Sequence, residues 1–193
     1  QTEKNSRYVL YPCQYRPEAS TSIHSIDYQS EINFIIQIRL HTPSEIQVVV
    51  KEHPAFAGFR TFKEIRSIRA IPGVSFLDGD TDLTKIISLA ECIVSRTSTV
   101  AYQSCLMGKK TYLAGDVYFK NLPGIHEFSK YGTRDWTSQS DIEVDKDAAI
   151  QQLHTIQNRS YKVETSINDP LDIGRQFSAA ILTELKYRMH TNV

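Results

Sequence analysis

Apolar runs and helical periodicities alternate along the chain and predict its secondary structure. Short apolar runs predict strands at residues 7–11, 46–51, 74–77, 92–95 and 110–114. Apolar residues at helical spacing predict helices at residues 28–40, 61–70, 80–89, 97–107, 146–157 and 171–189. The alternation predicts an α/β fold: a single Rossmann-like domain with a parallel sheet of about five to six strands and helices on both faces.

The organisation of the chain is simple apart from one long segment. Residues 115–144 show no clear periodicity, but aromatic residues and glycines recur, so we expect a long loop region that faces a ligand. The helix at residues 28–40 carries Ile32, Ile35, Ile36 and Leu40 on one face. With no internal repeat or linker, we expect residues 1–193 to be one domain. The helices at residues 146–190 would pack on it or on an N-terminal half.

Composition and charge narrow the classes of function. The 22 Lys and Arg balance the 22 Asp and Glu among 193 residues, so no basic footprint indicates a nucleic-acid partner. No apolar stretch approaches the ~18–20 residues that span a bilayer. The three cysteines are far apart, which argues against disulfides and a metal site and fits a reducing cytoplasm. The chain opens on Gln1, so we expect a fragment of a longer protein.

The apolar run before Lys51 predicts a buried strand that delivers His53 directly to a loop. Ligands of open parallel sheets bind at the carboxyl ends of the strands. Lys51 and His53 share one side of the strand end, with Glu52 on the other. His53 either donates a hydrogen bond to a phosphate oxygen or caps the loop.

A hydroxyl cluster follows the strand at residues 92–95. Thr97, Ser98 and Thr99 fall at a predicted helix start, where backbone N–H groups are unpaired. One hydroxyl suffices as an N-cap, whereas three together can also hold a phosphate. Arg96 is either a further phosphate ligand or a solvated side chain. The loop from Gln14 and the residue Asp116 also follow strands. We expect both at the same edge of the sheet, where the strands end.

The order and spacing of these short motifs are the most specific signal in the chain. They are Tyr11-Pro12, Gln14, Arg16 to Ser20, Lys51 to Pro54, Pro72 to Val74, Thr97 to Val100, Gly108-Lys109 and Gly115-Asp116. Over about residues 7–125 the chain resembles the capsular polysaccharide synthesis glycosyltransferases. These are bacterial enzymes of the GT-B fold that are similar to Kdo and sialic acid transferases.

The resemblance implies that the chain is the donor-binding, Rossmann-like C-terminal half of such an enzyme. His53 would contact and stabilise the departing donor phosphate, and Ser95 with Thr97, Ser98 and Thr99 would line the same pocket. The further expected substrate-binding residues are Gln14, Glu18, Lys51, Glu52, Arg96, Gln103 and Asp116. Gln103 departs from the glutamate of many relatives, and an amide holds ribose hydroxyls more weakly than a carboxylate.

The expected reaction is transfer of a Kdo or sialic-type sugar from a CMP-activated donor to a bacterial surface polysaccharide. We expect no cofactor besides the nucleotide sugar, no metal, and catalysis only when the chain is joined to its N-terminal half. The expected location is cytoplasmic, with peripheral association at the inner face of the bacterial inner membrane. The alternatives are a non-catalytic nucleotide- or glycan-binding module, or half of an epimerase or polyol-phosphate transferase.

Overall fold

The computed structural model of the protein describes residues 7–16, 30–128 and 144–158. The described elements are, in chain order, β1 (Tyr8–Pro12), α1 (Glu31–His41), β2 (Gln47–Lys51), α2 (Phe62–Arg69), β3 (Val74–Leu77), α3 (Leu83–Leu89), β4 (Cys92–Ser95), α4 (Val100–Leu106), β5 (Thr111–Leu113), β6 (Ile125–Glu127) and α5 (Lys146–Asn158). A short 3-10 helix, Pro54–Phe56, follows β2.

The strands form one six-stranded sheet in the order β3-β2-β1-β4-β5-β6. Every neighbouring pair is parallel. This strand order is the one that doubly wound dinucleotide-binding folds use, with the order reversing between β1 and β4. The predicted α/β class and parallel Rossmann-like sheet are therefore confirmed.

Alternate residues of the strands pack against helices on opposite faces of the sheet. Val9 and Tyr11 of β1 belong to a buried cluster with Phe34 of α1. Leu10 belongs to a separate cluster with Ile87 of α3. Successive strand side chains point to opposite faces, so the central strands are apolar on both sides and read as continuous apolar runs in the sequence.

Local side-chain caps fix where the helices begin. Ser30 accepts a hydrogen bond from the Asn33 backbone N–H and starts α1. Asp82 does the same for α3, so this helix begins at Leu83, later than the predicted residue 80. A short polar side chain at the N-cap satisfies a backbone donor that the helix leaves unpaired.

Two predictions about local structure were wrong. The buried residues of α1 are Glu31, Phe34, Ile35 and Ile38, whereas Leu40 is 71% exposed. The helix turns Phe34 and Ile38 to the sheet, which leaves Leu40 on the solvent side. Strand β6 lies inside the segment predicted as loop. Its three residues include only one aliphatic side chain, Ile125, too few to show a strand pattern.

The chain divides into two compact units, Gln1–Leu153 and His154–Val193. The first contains the whole described sheet. Of the second, residues 154–158 are described, as the end of α5. The predicted helix at 171–189 lies outside the described residues, and so do residues 129–143 of the predicted loop. The single domain over residues 1–193 stays a prediction. In the part of the chain that the structure describes, no helix is long and apolar enough to cross a membrane.

Candidate functional site

The carboxyl ends of β1, β2, β4 and β5 form one rim of the sheet, with the reversal of strand order between β1 and β4. A crevice outside the strand ends at such a reversal is the usual ligand position in this architecture. The loops after these strands carry Gln14, His53, Thr97 and Asp116, as the sequence predicts.

The loop after β1 links the two chemical groups that the sequence singled out. Gln14 is buried, and its side-chain amide donates a hydrogen bond of 2.5 Å to the hydroxyl of Thr97. The next residue, Tyr15, places its ring 6.0 Å from the imidazole of His53, measured between ring centroids. His53 and Thr97 therefore flank one loop on one rim.

His53 caps the short 3-10 helix that follows it. Its Nδ1 accepts a hydrogen bond of 3.2 Å from the backbone N–H of Ala55. A neutral imidazole that accepts at Nδ1 carries its proton on Nε2. The cap thus fixes a tautomer whose Nε2 is a hydrogen-bond donor, and capping does not compete with a contact to a phosphate oxygen.

Lys51 and Glu52 hold the His53 turn in place. The Lys51 ammonium donates to the backbone carbonyls of Glu52 (3.1 Å) and Gly79 (2.8 Å), with the residue only 3% exposed. Burial lowers the pKa of Lys51. The Glu52 carboxylate accepts the backbone N–H of His53 at 2.8 Å. Both side chains thus contact the protein itself, and their predicted contacts with a substrate stay predictions.

The hydroxyl cluster forms the turn before α4 and not the first turn of the helix. The helix begins at Val100, later than predicted, because Ser95 and Ser98 organise a preceding turn. The Ser95 hydroxyl accepts from the backbone N–H of Ser98 (3.1 Å), and the Ser98 hydroxyl accepts from that of Val100 (3.2 Å). Thr99 is exposed and makes no capping hydrogen bond with its side chain.

A buried cluster of charges beneath the rim was not predicted. The carboxylate of Glu31, at the start of α1, lies 2.7 Å from Arg60 and 3.5 Å from both Arg16 and Arg96. Arg60 also forms hydrogen bonds with Glu52 through two of its nitrogens. One carboxylate thereby connects the loops after β1, β2 and β4.

Pairing with carboxylates keeps the Arg60 guanidinium charged despite its burial. Burial alone lowers the pKa of Arg60, but hydrogen bonds with Glu52 and the charge of Glu31 outweigh it and raise that pKa above its ordinary value. The pKa values of Tyr11 and Cys13 are raised well above their ordinary values. Burial is the largest cause and the negative charge of Glu31 is the second. The thiol and the phenol are therefore neutral around a charged centre.

The remaining predicted residues differ in what the structure says of them. Asp116 is exposed, pairs with Lys120 at 2.7 Å, and borders a cleft of about 630 Å³ at the ends of β5 and β6. Gln103 is exposed on α4, one turn after Thr99. Glu18 lies outside the described residues. Among the described residues, no group of three or more His, Cys, Asp or Glu side chains is arranged to hold a metal ion.

These features define the class of protein: an α/β fold with a Rossmann-like parallel sheet and a polar rim where the strand order reverses. Residues 1–159 match the family described as capsule polysaccharide biosynthesis protein, and the chain belongs to that family. The family that the sequence motifs resemble is thereby confirmed.

Individual relatives are similar over part of their length. The protein FixF of Sinorhizobium fredii is 30% identical over 112 residues, which are 56% of this chain and 26% of FixF. The structure of KpsC from Thermosulfurimonas dismutans, a beta Kdo 2,7 transferase, superposes with a TM-score of 0.56 at 15% identity. That match covers 78% of this chain and 46% of KpsC, so the chain spans less than half of either relative, and the likeness to KpsC shows the fold.

Proposed function

We propose that this chain provides the nucleotide-sugar-binding half of a glycosyltransferase that builds a surface polysaccharide. The donor would be a CMP-activated sugar of the Kdo or sialic type, and the acceptor a growing glycan. The family match supports the polysaccharide, and the motifs at the strand ends support the donor class.

The observation that carries the proposal is the position of His53 and Thr97 on either side of the loop after β1. Tyr15 contacts the first and Gln14 the second. A phosphate held at this loop would accept a hydrogen bond from the Nε2–H of His53 and lie next to the hydroxyls of Thr97 and Thr99. Fixed donors of this kind favour a leaving phosphate more as its negative charge grows during bond cleavage.

The buried charge cluster would give this arrangement its rigidity. Catalytic donors act best when they are already in position, because no reorganisation is then needed as charge develops. Glu52 holds the backbone of His53, and Arg60 holds Glu52. The transfer would then depend on the chain's own side chains for phosphate stabilisation, without a metal ion.

Titration calorimetry with CMP, CDP, UDP and ADP tests the proposal. We expect CMP to bind most tightly, and His53→Ala to weaken binding by about tenfold to a hundredfold, the value of a hydrogen bond to a charged group. His53→Gln, which keeps a donor, should restore part of the affinity. Thr99→Ala should weaken CMP binding. Thr84 is an exposed threonine on α3, and Thr84→Ala is the matched control.

Three results would contradict the proposal. Failure of all four nucleotides to bind would remove the nucleotide site, and preference for UDP or ADP would overturn the donor class. Equal losses in Thr99→Ala and Thr84→Ala would remove the hydroxyl cluster from the site.

A further inference from the structure

Aromatic side chains stand exposed on the rim beside His53. Phe59 is 74% exposed, Phe62 is 92% exposed and Tyr15 is 45% exposed, while Phe56 between them is half-buried. We call Tyr15, Phe56, Phe59 and Phe62 the aromatic ridge. Single exposed apolar residues are ordinary, but a contiguous group of large ones marks a binding surface.

The ridge is continuous with the candidate phosphate site. The ring of Tyr15 lies 6.0 Å from that of His53 and 6.1 Å from that of Phe56. Phe56 in turn lies 6.0 Å from Phe59. Phe62 begins α2 directly after the capping residue Thr61. A ligand that follows Phe59, Phe56 and Tyr15 would therefore end at His53.

Positive charge accompanies the rings. Residues 59–69 contain four basic side chains, Arg60, Lys63, Arg66 and Arg69, and one acidic side chain, Glu64. Arg60 is neutralised by buried carboxylates, but the other three basic residues are exposed. The Arg16 guanidinium lies 5.4 Å from the centre of the Phe56 ring and, like Arg60, is paired with carboxylates, those of Glu31 and Glu64. The surface combines flat apolar faces with cations at their edges.

This combination selects among possible occupants. Aromatic faces receive the C–H faces of pyranose rings, and Lys or Arg pairs with carboxylates carried by those sugars. A membrane also attracts exposed Phe with Lys and Arg. A bilayer seated on this rim, however, would cover the site at His53, which a water-soluble nucleotide sugar must reach. The geometry therefore favours a glycan over a membrane.

We propose that the aromatic ridge binds an acidic glycan chain and leads its end to the candidate phosphate site. The inference rests on the proposed function, because it supplies that reaction with its second substrate. Phe59 and Phe62 stack on sugar rings, while Lys63 and Arg66 pair with the carboxylates. The substrate class is thus a polysaccharide with acidic sugars.

The test measures binding of oligosialic acid by saturation-transfer NMR and titration, with a neutral maltooligosaccharide for comparison. We expect Phe59→Ser and Phe62→Ser each to weaken binding of the acidic glycan by about fivefold, which corresponds to the loss of one aromatic contact. Leu40→Ser and Leu89→Ser, at residues 71% and 63% exposed, are matched controls and should bind as the wild type does. Arg66→Met should reduce the preference for the acidic chain over the neutral one.

The outcomes separate this inference from the proposed function. Equal binding by the ridge variants and the leucine controls would overturn it, as would the absence of oligosialic acid binding. Ridge-dependent binding to phosphatidylglycerol vesicles without glycan binding would assign the surface to a membrane. Loss of self-association in the ridge variants, measured by light scattering, would assign it to a second copy. CMP titration into the wild type tests the nucleotide site alone, so that either claim can fail separately.

Discussion

Glu64 links the start of α2 to the loop after β1. Its carboxylate accepts hydrogen bonds from the backbone N–H of Thr61 at 2.9 Å and from the Thr61 hydroxyl at 2.8 Å. It also accepts one from Arg16 at 3.1 Å. The Thr61 backbone bond, with smaller contributions from the Thr61 hydroxyl and Arg16, lowers the pKa of Glu64 to about 2. This reciprocal cap fixes α2 beside the aromatic ridge.

The lowered pKa gives Glu64 a defined effect on stability. A depressed acid pKa contributes stability that is present above its ordinary value of 4.5 and is lost as the pH falls towards about 2. We expect Glu64→Gln to lower the free energy of unfolding by about 1 kcal/mol at neutral pH, as loss of a helix cap does. The difference should shrink below pH 4.5.

Urea unfolding of both proteins at several pH values between neutrality and about pH 3 measures this difference. Glu45→Gln, at an exposed carboxylate outside the helices, is the control. A difference that stays constant over the whole range would show that the charge of Glu64 contributes nothing to the cap.

At the scale of elements, some of the site follows from the sequence and some does not. The positions of Gln14, His53 and Thr97 were predictable, because each follows a buried strand and parallel strands end on one rim. Glu31 and Arg60 were not. An acidic residue in the first turn of a helix ordinarily interacts with the helix dipole, and an arginine in a loop is ordinarily solvated. Their burial depends on contacts among three loops that are distant in sequence, and no local sequence pattern predicts such contacts.

The start of α4 illustrates the same limit. The hydroxyls at residues 97–99 are typical N-cap residues, so the sequence predicts a helix from residue 97. In the structure, Ser95 from the strand and Ser98 from the loop form the turn together, and the helix starts at Val100. Competition between side-chain and helical hydrogen bonds moves such boundaries by several residues.

The buried pair of Glu52 and Arg60 should be strongly coupled. Removing one partner leaves a buried charge without compensation, so Arg60→Met should lower the free energy of unfolding by about 3–5 kcal/mol. Glu52→Gln should cost far less in the Arg60→Met background than in the wild type. Urea unfolding of the two single variants and the double variant measures the coupling.

An exposed ion pair in the same chain provides the comparison. Arg7 and Glu91 lie 2.7 Å apart, with side chains 57% and 35% exposed. Solvent screens the attraction in an exposed pair, so the cycle of Arg7→Met and Glu91→Gln should be nearly additive. Additive costs at Glu52 and Arg60 as well would contradict the assignment of the cluster as one unit that holds the rim.

At the scale of the whole molecule, the sheet presents the rim loops as one surface. The loops after β1, β2 and β4 come from separate parts of the chain, yet Glu31 contacts an arginine from each. Their rigidity is therefore shared, because movement of one loop changes the pairing of the other two. Strand β6 lies at one edge of the sheet, two strands away from β4, and β5 is its one described neighbour.

Shared rigidity predicts that a nucleotide bound at the rim protects all three loops together from hydrogen exchange. The informative amides are those of His53 and Ser98, which bond to the side chains of Glu52 and Ser95. At a CMP concentration about 100 times Kd, exchange that requires release of the nucleotide should slow by up to about a hundredfold. The amides of β6 serve as the internal comparison and should change little. Protection confined to the loop after β4 would mean that the nucleotide contacts that loop alone and that Glu31 does not couple it to His53.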